Sequence, residues 1–92
     1  MVITMQEIRK KVREVGSRLE EILREGGEIS GNKAKEVNKL RLHLHAIGEE
    51  LKEAGLLPRQ SYQTIKGFCR RYTPNYSPTI LRRVIGTLQP FY

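Results

Sequence analysis

The stretch that decides the fold is TMQEIRKKVREVGSRLEEILREGG, residues 4–27. Its apolar side chains recur at alternating steps of three and four, which is the spacing of one face of an α-helix. Thr4 and Glu7 match a capping box at the start of this helix, and Gly26 and Gly27 mark its end. The apolar positions are Met5, Ile8, Val12, Val15, Leu19 and Ile22. The pattern predicts a long amphipathic helix.

A second helix of the same kind is predicted downstream, with Asn32 as its N-cap and Gly55 as its stop. Its apolar positions repeat the same steps at Val37, Leu40, Leu44, Ile47, Leu51 and Ala54. Both stripes have the 3.5-residue period of coiled-coil seams, over about three heptads each. The linker between them, GGEISG, is short enough to join antiparallel neighbours. We therefore predict an αα-hairpin over residues 1–55.

Two shorter helices are predicted to follow the hairpin. The first runs from about Pro58 or Ser61 to Tyr72, where a Thr-Pro pair closes it. The second begins with Ser77 as N-cap and Pro78 at the first helical position. No segment shows the alternation of a strand. The predicted fold class is all-α: an antiparallel helical hairpin with heptad seams, followed by two shorter helices.

Charge is distributed unevenly along the chain. The 17 Lys and Arg residues stand against 10 Glu and no Asp, which gives a net charge of +7. Residues 56–92 hold six basic and no acidic side chains, together with all four Tyr, both Phe and all four Pro. Composition therefore changes abruptly near Gly55–Pro58, which we interpret as the boundary between residues 1–55 and a basic unit, residues 56–92. Such a basic segment favours a polyanionic partner.

The basic side chains of the two short helices gather on one side of each helix. At 100° per residue, the polar sides consist of Lys66, Gly67, Arg70 and Arg71 in the first helix, and Thr79, Arg82, Arg83 and Gly86 in the second. A glycine inside a helix costs ~1 kcal/mol relative to alanine. Close approach of a phosphate chain to the helix backbone would explain both glycines. The alternative is that both are merely tolerated at exposed positions.

Residues 65–88, IKGFCRRYTPNYSPTILRRVIGTL, resemble a helix-turn-helix DNA-binding domain, although the connection is a residue or two longer and no wing hairpin follows. The resemblance implies that the second helix enters the major groove of DNA, with the residues at its start nearest the bases. The start of that helix is also a predicted phosphate site, because free N–H groups and the helix dipole favour anions. The predicted nucleic-acid-binding residues are Lys66, Arg70, Arg71, Asn75, Tyr76, Ser77, Thr79, Arg82 and Arg83.

Catalytic and metal chemistry is not expected. His43 and His45 lie two apart on a helix, so they point in different directions and cannot share a metal ion. Cys69 is the single cysteine and falls on the apolar side of its helix, which predicts a buried and inert thiol. No nucleophile–base–acid set and no glycine-rich phosphate loop occurs. We predict a non-enzymatic protein without metal or cofactor.

The composition also gives indications of cellular location and source. A lone cysteine suits a reducing interior, and no apolar run approaches the ~20 residues that span a bilayer. These features predict a cytoplasmic protein without a membrane partner. The absence of Asp and Trp beside many Glu, Lys and Arg residues is typical of thermophiles.

The predicted partners divide into two alternatives. In the first, the protein is a DNA-binding homodimer, with DNA favoured over RNA, and residues 1–55 form the dimer because Leu23, Leu42 and Ala46 widen the apolar surface beyond the seam. In the second, the protein is a non-catalytic accessory subunit of a larger nucleic-acid complex, such as a polymerase or an RNA-guided machine. The basic helices would then clamp the nucleic-acid backbone without reading sequence, and residues 1–55 would dock a protein partner.

Overall fold

The computed structural model describes residues 4–70 and 74–92, and these ranges contain four α-helices. The helices are α1 (Met5–Glu25), α2 (Asn32–Glu53), α3 (Arg59–Cys69) and α4 (Pro78–Leu88), and a 3-10 turn (Gln89–Phe91) follows α4. The predicted all-α class is confirmed. In the described residues the only β-type pairing is a single antiparallel bridge between Ile29 and Tyr76.

The ends of α1 are those that the sequence predicts. The Thr4 hydroxyl accepts a hydrogen bond from the Glu7 backbone N–H at 3.2 Å, which satisfies one of the free amides of the first turn. Gly26 and Gly27 adopt φ of 74° and 76°, the left-handed region where glycine carries no steric penalty.

The ends of α2 differ from the prediction at one residue. Gly31, with φ of 58°, occupies the N-cap, and Asn32 is already helical, so the predicted Asn32 cap is wrong by one position. At the other end Gly55 stops the helix with φ of 70°. Its N–H donates to the Lys52 carbonyl at 2.9 Å, and the next N–H, of Leu56, donates to the Leu51 carbonyl at 3.0 Å. These two bonds form a Schellman motif.

The two shorter helices also form. The Ser77 hydroxyl accepts from the Thr79 N–H at 3.2 Å, which confirms Ser77 as the N-cap of α4. Helix α3 begins directly after Pro58, the earlier of the two predicted starts, and runs to Cys69. The predicted end at Tyr72 lies outside the described residues.

A single core joins all four helices. The predicted seam positions are buried, except that Leu40 is only partly buried and that Met5 and Ala54 are exposed. Helix α4 contacts both α1 and α3, while α3 also packs on α2. The fully buried side chains at the centre are Val12, Leu19, Val37, Leu44, Leu51, Leu81 and Leu88. Residues 1–55 and 56–92 therefore share one core, and burial leaves one side of each short helix facing outwards.

Two helical glycines let elements pack closely. A Cβ placed on Gly16 of α1 would lie 2.1 Å from the Tyr92 hydroxyl oxygen, so the Tyr92 ring occupies the space that a side chain would take. The same hydroxyl donates to Glu20 at 3.1 Å. A Cβ on Gly48 of α2 would lie 3.1 Å from Cγ2 of Ile65 in α3. Both glycines thus have a packing reason inside the fold.

Candidate nucleic-acid interface

The outward side of α4 carries the residues that the sequence predicts there. Its opposite side is buried against α1 and α3 through Leu81, Val84, Ile85 and Leu88. Because these apolar residues fix the rotation of the helix, the polar residues must face solvent. The exposed residues are Thr79, Arg82, Arg83 and Gly86.

Helix α3 and its C-cap add a second exposed row. Arg59, Gln63, Gly67 and Arg70 follow one another at steps of four, four and three, and all four are exposed. Only Arg70 was among the predicted site residues. The helical spacing of Arg59 and Gln63 from Gly67 is the sequence signal that could have found the other two. We call the two rows together the basic face: Arg59, Gln63, Gly67, Arg70, Thr79, Arg82, Arg83 and Gly86.

Clefts connect the two rows and continue to either side of α4. A cleft of about 230 Å³ between α3 and α4 is lined by Gln63, Gly67 and Arg83, with Phe68 and Val84 also contributing to its walls. Arg82 and Gly86 line a second cleft against α1, where they meet Glu20 and Arg24. Arg83 and Gly86 line a third cleft with Leu56 and Phe91. The two adjacent arginines of α4 therefore lie beside different clefts. Gly86 lines both the second cleft, with Arg82, and the third cleft, with Arg83.

The arginines of the basic face have no acidic partner in the described part of the chain. Arg59, Arg70, Arg82 and Arg83 form no ion pair there, and the last Glu in the sequence is Glu53. A guanidinium group stays protonated and presents a planar fork of donors that fits a phosphate. The basic face therefore presents four available cations to an external anion.

Lys66 does not belong to this face, although the sequence predicts it there. It turns towards α2, where its ammonium forms an ion pair with Glu49 and lies 3.4 Å from Nδ1 of His45. Glu49 also accepts the Tyr62 hydroxyl at 2.9 Å. The hydrogen bond between Lys66 and Glu49 raises the pKa of Lys66 and lowers the pKa of Glu49. The Lys66 charge is thus used inside the fold.

Tyr76 is also placed differently from its predicted role as a nucleic-acid contact. Its side chain is only 5% exposed, its hydroxyl donates to the Asn38 side-chain oxygen, and its ring centroid lies 5.8 Å from that of Phe68. Its backbone N–H donates to the Ile29 carbonyl at 3.0 Å. Tyr76 therefore fastens the α3–α4 connection to the hairpin and presents no ring to a base.

The start of α4 offers less to a phosphate than the sequence predicts. Pro78 has no N–H, and the Thr79 N–H is taken by the Ser77 hydroxyl. The backbone carbonyl of Ser77 accepts the next two amides, those of Ile80 at 3.1 Å and Leu81 at 3.3 Å. Ser77 is therefore a helix cap, and the three amides that follow Pro78 already have hydrogen-bond partners inside the protein. Of the remaining predicted residues, Asn75 is exposed and Arg71 lies outside the described residues.

Other chemistry-bearing groups are few. Cys69 is buried as predicted, and burial raises the pKa of its thiol to about 11, so the thiolate is scarce at neutral pH. In residues 4–70 and 74–92 no cluster of His, Cys, Asp and Glu is suited to hold a metal ion. None of the helices in those ranges has the length and apolar character of a membrane span.

No protein-family model, no curated protein and no solved structure matches this chain. The resemblance of residues 65–88 to a helix-turn-helix domain therefore rests on their own pattern.

Proposed function

We propose that this protein binds nucleic acid, duplex DNA before RNA, through the basic face. The observation that carries the proposal is the set of four arginines without carboxylate partners on two adjacent elements of the fold. Arginine contacts to phosphate are charge-assisted and often bidentate, and each contact releases counterions from the nucleic acid. Arg82 and Arg83 lie in the middle of the α4 row and carry the main contacts.

Two versions of this function differ in whether the basic face contacts the bases or only the sugar–phosphate backbone. A helix-turn-helix DNA-binding protein would read bases with exposed residues of α4, such as Thr79 and Arg82. An accessory subunit would grip only the backbone. The burial of Tyr76 favours the second version, because it removes one of the predicted contacts near the bases.

The hairpin supplies the protein–protein contact in both versions. Leu42 is 65% exposed on α2, and Ala46 one turn later is exposed too. We propose that residues 1–55 form a homodimer through this side, and that the same side docks a partner protein in the accessory-subunit version. Measuring the molar mass by light scattering at high micromolar concentration tests the dimer. The molar mass of a monomer would favour the accessory-subunit version.

The binding test uses two matched double variants of the full chain. Arg82→Ala/Arg83→Ala removes two charges from the basic face, whereas Arg9→Ala/Arg13→Ala removes two exposed charges from α1 that form no ion pair in the described residues. Affinity for a labelled DNA duplex is measured by fluorescence anisotropy at several salt concentrations. We expect the first variant to bind more weakly and to lose roughly two units of log–log salt slope, one for each phosphate contact.

The control variant should keep nearly the slope of the parent. If Arg82→Ala/Arg83→Ala binds as tightly as the parent with an unchanged slope, the assignment of the basic face is wrong. If the face is right, comparing duplexes of different sequence separates base reading from backbone gripping.

A further inference from the structure

We infer that the ligand of the basic face is the backbone of double-helical DNA, and that Gly67 and Gly86 are the points where this backbone comes closest to the protein. The inference rests on the proposed function, because it takes the basic face as a nucleic-acid interface. It goes further in naming two contact points that carry no charge and in arguing for the double helix from the geometry of the face.

Six of the eight glycines have a reason inside the fold. Four occupy turns at positive φ, namely Gly26, Gly27, Gly31 and Gly55. At Gly16 a Cβ would overlap the Tyr92 ring, and at Gly48 it would lie in tight contact with Ile65.

Gly67 and Gly86 have no such reason. Both lie within α-helices, and a Cβ on either would meet no atom within 4 Å. Alanine would fit at both positions and would favour the helix more than glycine does. We therefore assign the reason for these two glycines to a ligand that contacts the surface at these positions.

Both positions lie beside the unpaired arginines. Gly67 lines the α3–α4 cleft together with Arg83. Gly86 lines the cleft of Arg82 on one side of α4 and the cleft that it shares with Arg83 on the other. Because glycine has no Cβ, a sugar–phosphate chain can approach the helix backbone closely at these positions. The neighbouring arginine side chains are long enough to contact its phosphates from either side.

The described aromatic residues argue against single-stranded nucleic acid, whose binders stack bases on exposed rings. Phe68 and Tyr76 are buried, and Phe91 and Tyr92 pack against the core. The Tyr62 hydroxyl is bonded to Glu49, and the Lys52 ammonium lies 4.5 Å from the centroid of the Tyr62 ring. Phe68 and Phe91 line clefts beside Arg83, but both pack against the core, and none of the five aromatic residues is a member of the basic face.

The length of the face suits a duplex. Arg59 and Arg70 are eleven residues apart, which is roughly 16 Å along the axis at ~1.5 Å per residue. This distance exceeds the ~12 Å width of the major groove of B-form DNA. The two ends of the α3 row can therefore reach phosphates on opposite sides of one groove.

The test compares the thermal stability of full-chain variants with their affinity for a DNA duplex. Gly67→Ala and Gly86→Ala should each raise the midpoint of thermal unfolding, by roughly 4–8 °C if the whole helix-propensity gain is realised. Each should nevertheless weaken binding to a DNA duplex about tenfold, equivalent to about 1.4 kcal/mol. The larger Gly67→Gln and Gly86→Gln should weaken it further. His43→Ala, at an exposed position of α2, is the control and should leave affinity unchanged.

Higher stability with lower affinity cannot arise from unfolding, so that result supports the inference. If both alanine variants bind duplex DNA as tightly as the parent, the closest-approach points are wrong, while weaker binding by Arg82→Ala/Arg83→Ala would still support the proposed function. Tighter binding of the parent to the single strand, or to duplex RNA of the same sequence, would overturn double-helical DNA as the ligand. If the arginine variant also binds normally, the proposed function itself fails.

Discussion

The hairpin and the basic face use their charges differently. Residues 1–55 carry eleven basic and ten acidic side chains, and several of the basic ones hold α1 to α2. Lys11 pairs with Glu50 at 3.6 Å, and Arg18 donates to Glu36 at 2.8 Å. Residues 56–92 contain no acidic side chain, and their exposed arginines form no ion pair in the described residues.

This difference separates the charged side chains that stabilise the fold from those that are available to a ligand. A charge that already has a partner contributes to the fold and is less available to a ligand. A charge without a partner contributes little to the fold and is available outside. Substitutions in the hairpin should therefore change stability first, and substitutions on the basic face should change binding first.

The largest effect is expected from a charge placed in the hairpin seam. Leu44 is fully buried, so Leu44→Glu loses its apolar contacts and buries a carboxylate without a partner, at a cost of about 4 kcal/mol or more. This is a large share of the roughly 5–14 kcal/mol expected for a chain of this length. We expect Leu44→Glu to be largely unfolded by circular dichroism.

Leu42→Glu is the matched control, two residues away on the same helix. Leu42 is 65% exposed, so this variant should stay helical and change the free energy of unfolding by less than ~0.5 kcal/mol. It should also turn the proposed dimer into monomers. Unfolding of Leu42→Glu, or a stable fold for Leu44→Glu, would contradict the packing of the hairpin.

A smaller difference is expected between two identical substitutions. Gly16→Ala and Gly67→Ala should gain similar helix propensity, but only the first places a methyl group against Tyr92. We expect Gly16→Ala to be less stable than Gly67→Ala by about 1–3 kcal/mol, the usual cost of overpacking. Urea unfolding followed by circular dichroism measures the difference. Equal stability of the two variants would mean that the Tyr92 ring moves away at no cost.

The smallest effect is expected from single arginines. Arg18→Ala should lower the thermal midpoint at neutral pH by a few degrees, because Arg18 bridges Glu21 on its own helix and Glu36 on α2. Arg82→Ala should leave the midpoint nearly unchanged, because Arg82 forms no ion pair in the described residues. Thermal unfolding at low salt compares the two.

The pH dependence of the Arg18 effect follows from Glu36. The hydrogen bond with Arg18 lowers the pKa of Glu36 below its ordinary value of 4.5. A carboxyl group with a lowered pKa stabilises the fold above that ordinary value, and the contribution is lost as the pH falls through the folded pKa. The midpoints of the parent and Arg18→Ala should therefore converge in acid. A gap that stays constant down to strongly acidic pH would exclude Glu36 as the partner.

Local signals in the sequence predicted the helices and most of their ends. Thr4, Gly26, Gly55 and Ser77 each act through contacts within a few residues, so their roles can be deduced without the tertiary fold. The apolar spacing likewise predicted which side of each helix is buried, and with it the outward position of Arg82 and its neighbours.

Apart from the N-cap of α2, the main errors concern contacts between distant residues. Tyr76 is buried because its hydroxyl meets Asn38, which lies 38 positions earlier in the chain. Helical spacing alone allows the Lys66 side chain to face solvent or to turn towards α2. The ion pair with Glu49 on α2 holds it towards α2. Neither partner is visible from helical periodicity. Arg59 is a different case, because its steps of four from Gln63 and Gly67 place it on this side of α3 once the helix begins directly after Pro58, the earlier of the two predicted starts.

We propose that nucleic acid contacts the basic face and leaves the hairpin free. The most direct test is a titration of the ¹⁵N-labelled full chain with a short DNA duplex, followed by the backbone amide signals in NMR spectra. We predict the largest shifts at Gly67, Thr79 and Gly86, with Leu42 and His43 on α2 nearly unchanged. Shifts that concentrate on the Arg9–Arg13 side of α1, with Gly67 and Gly86 unmoved, would contradict the claim.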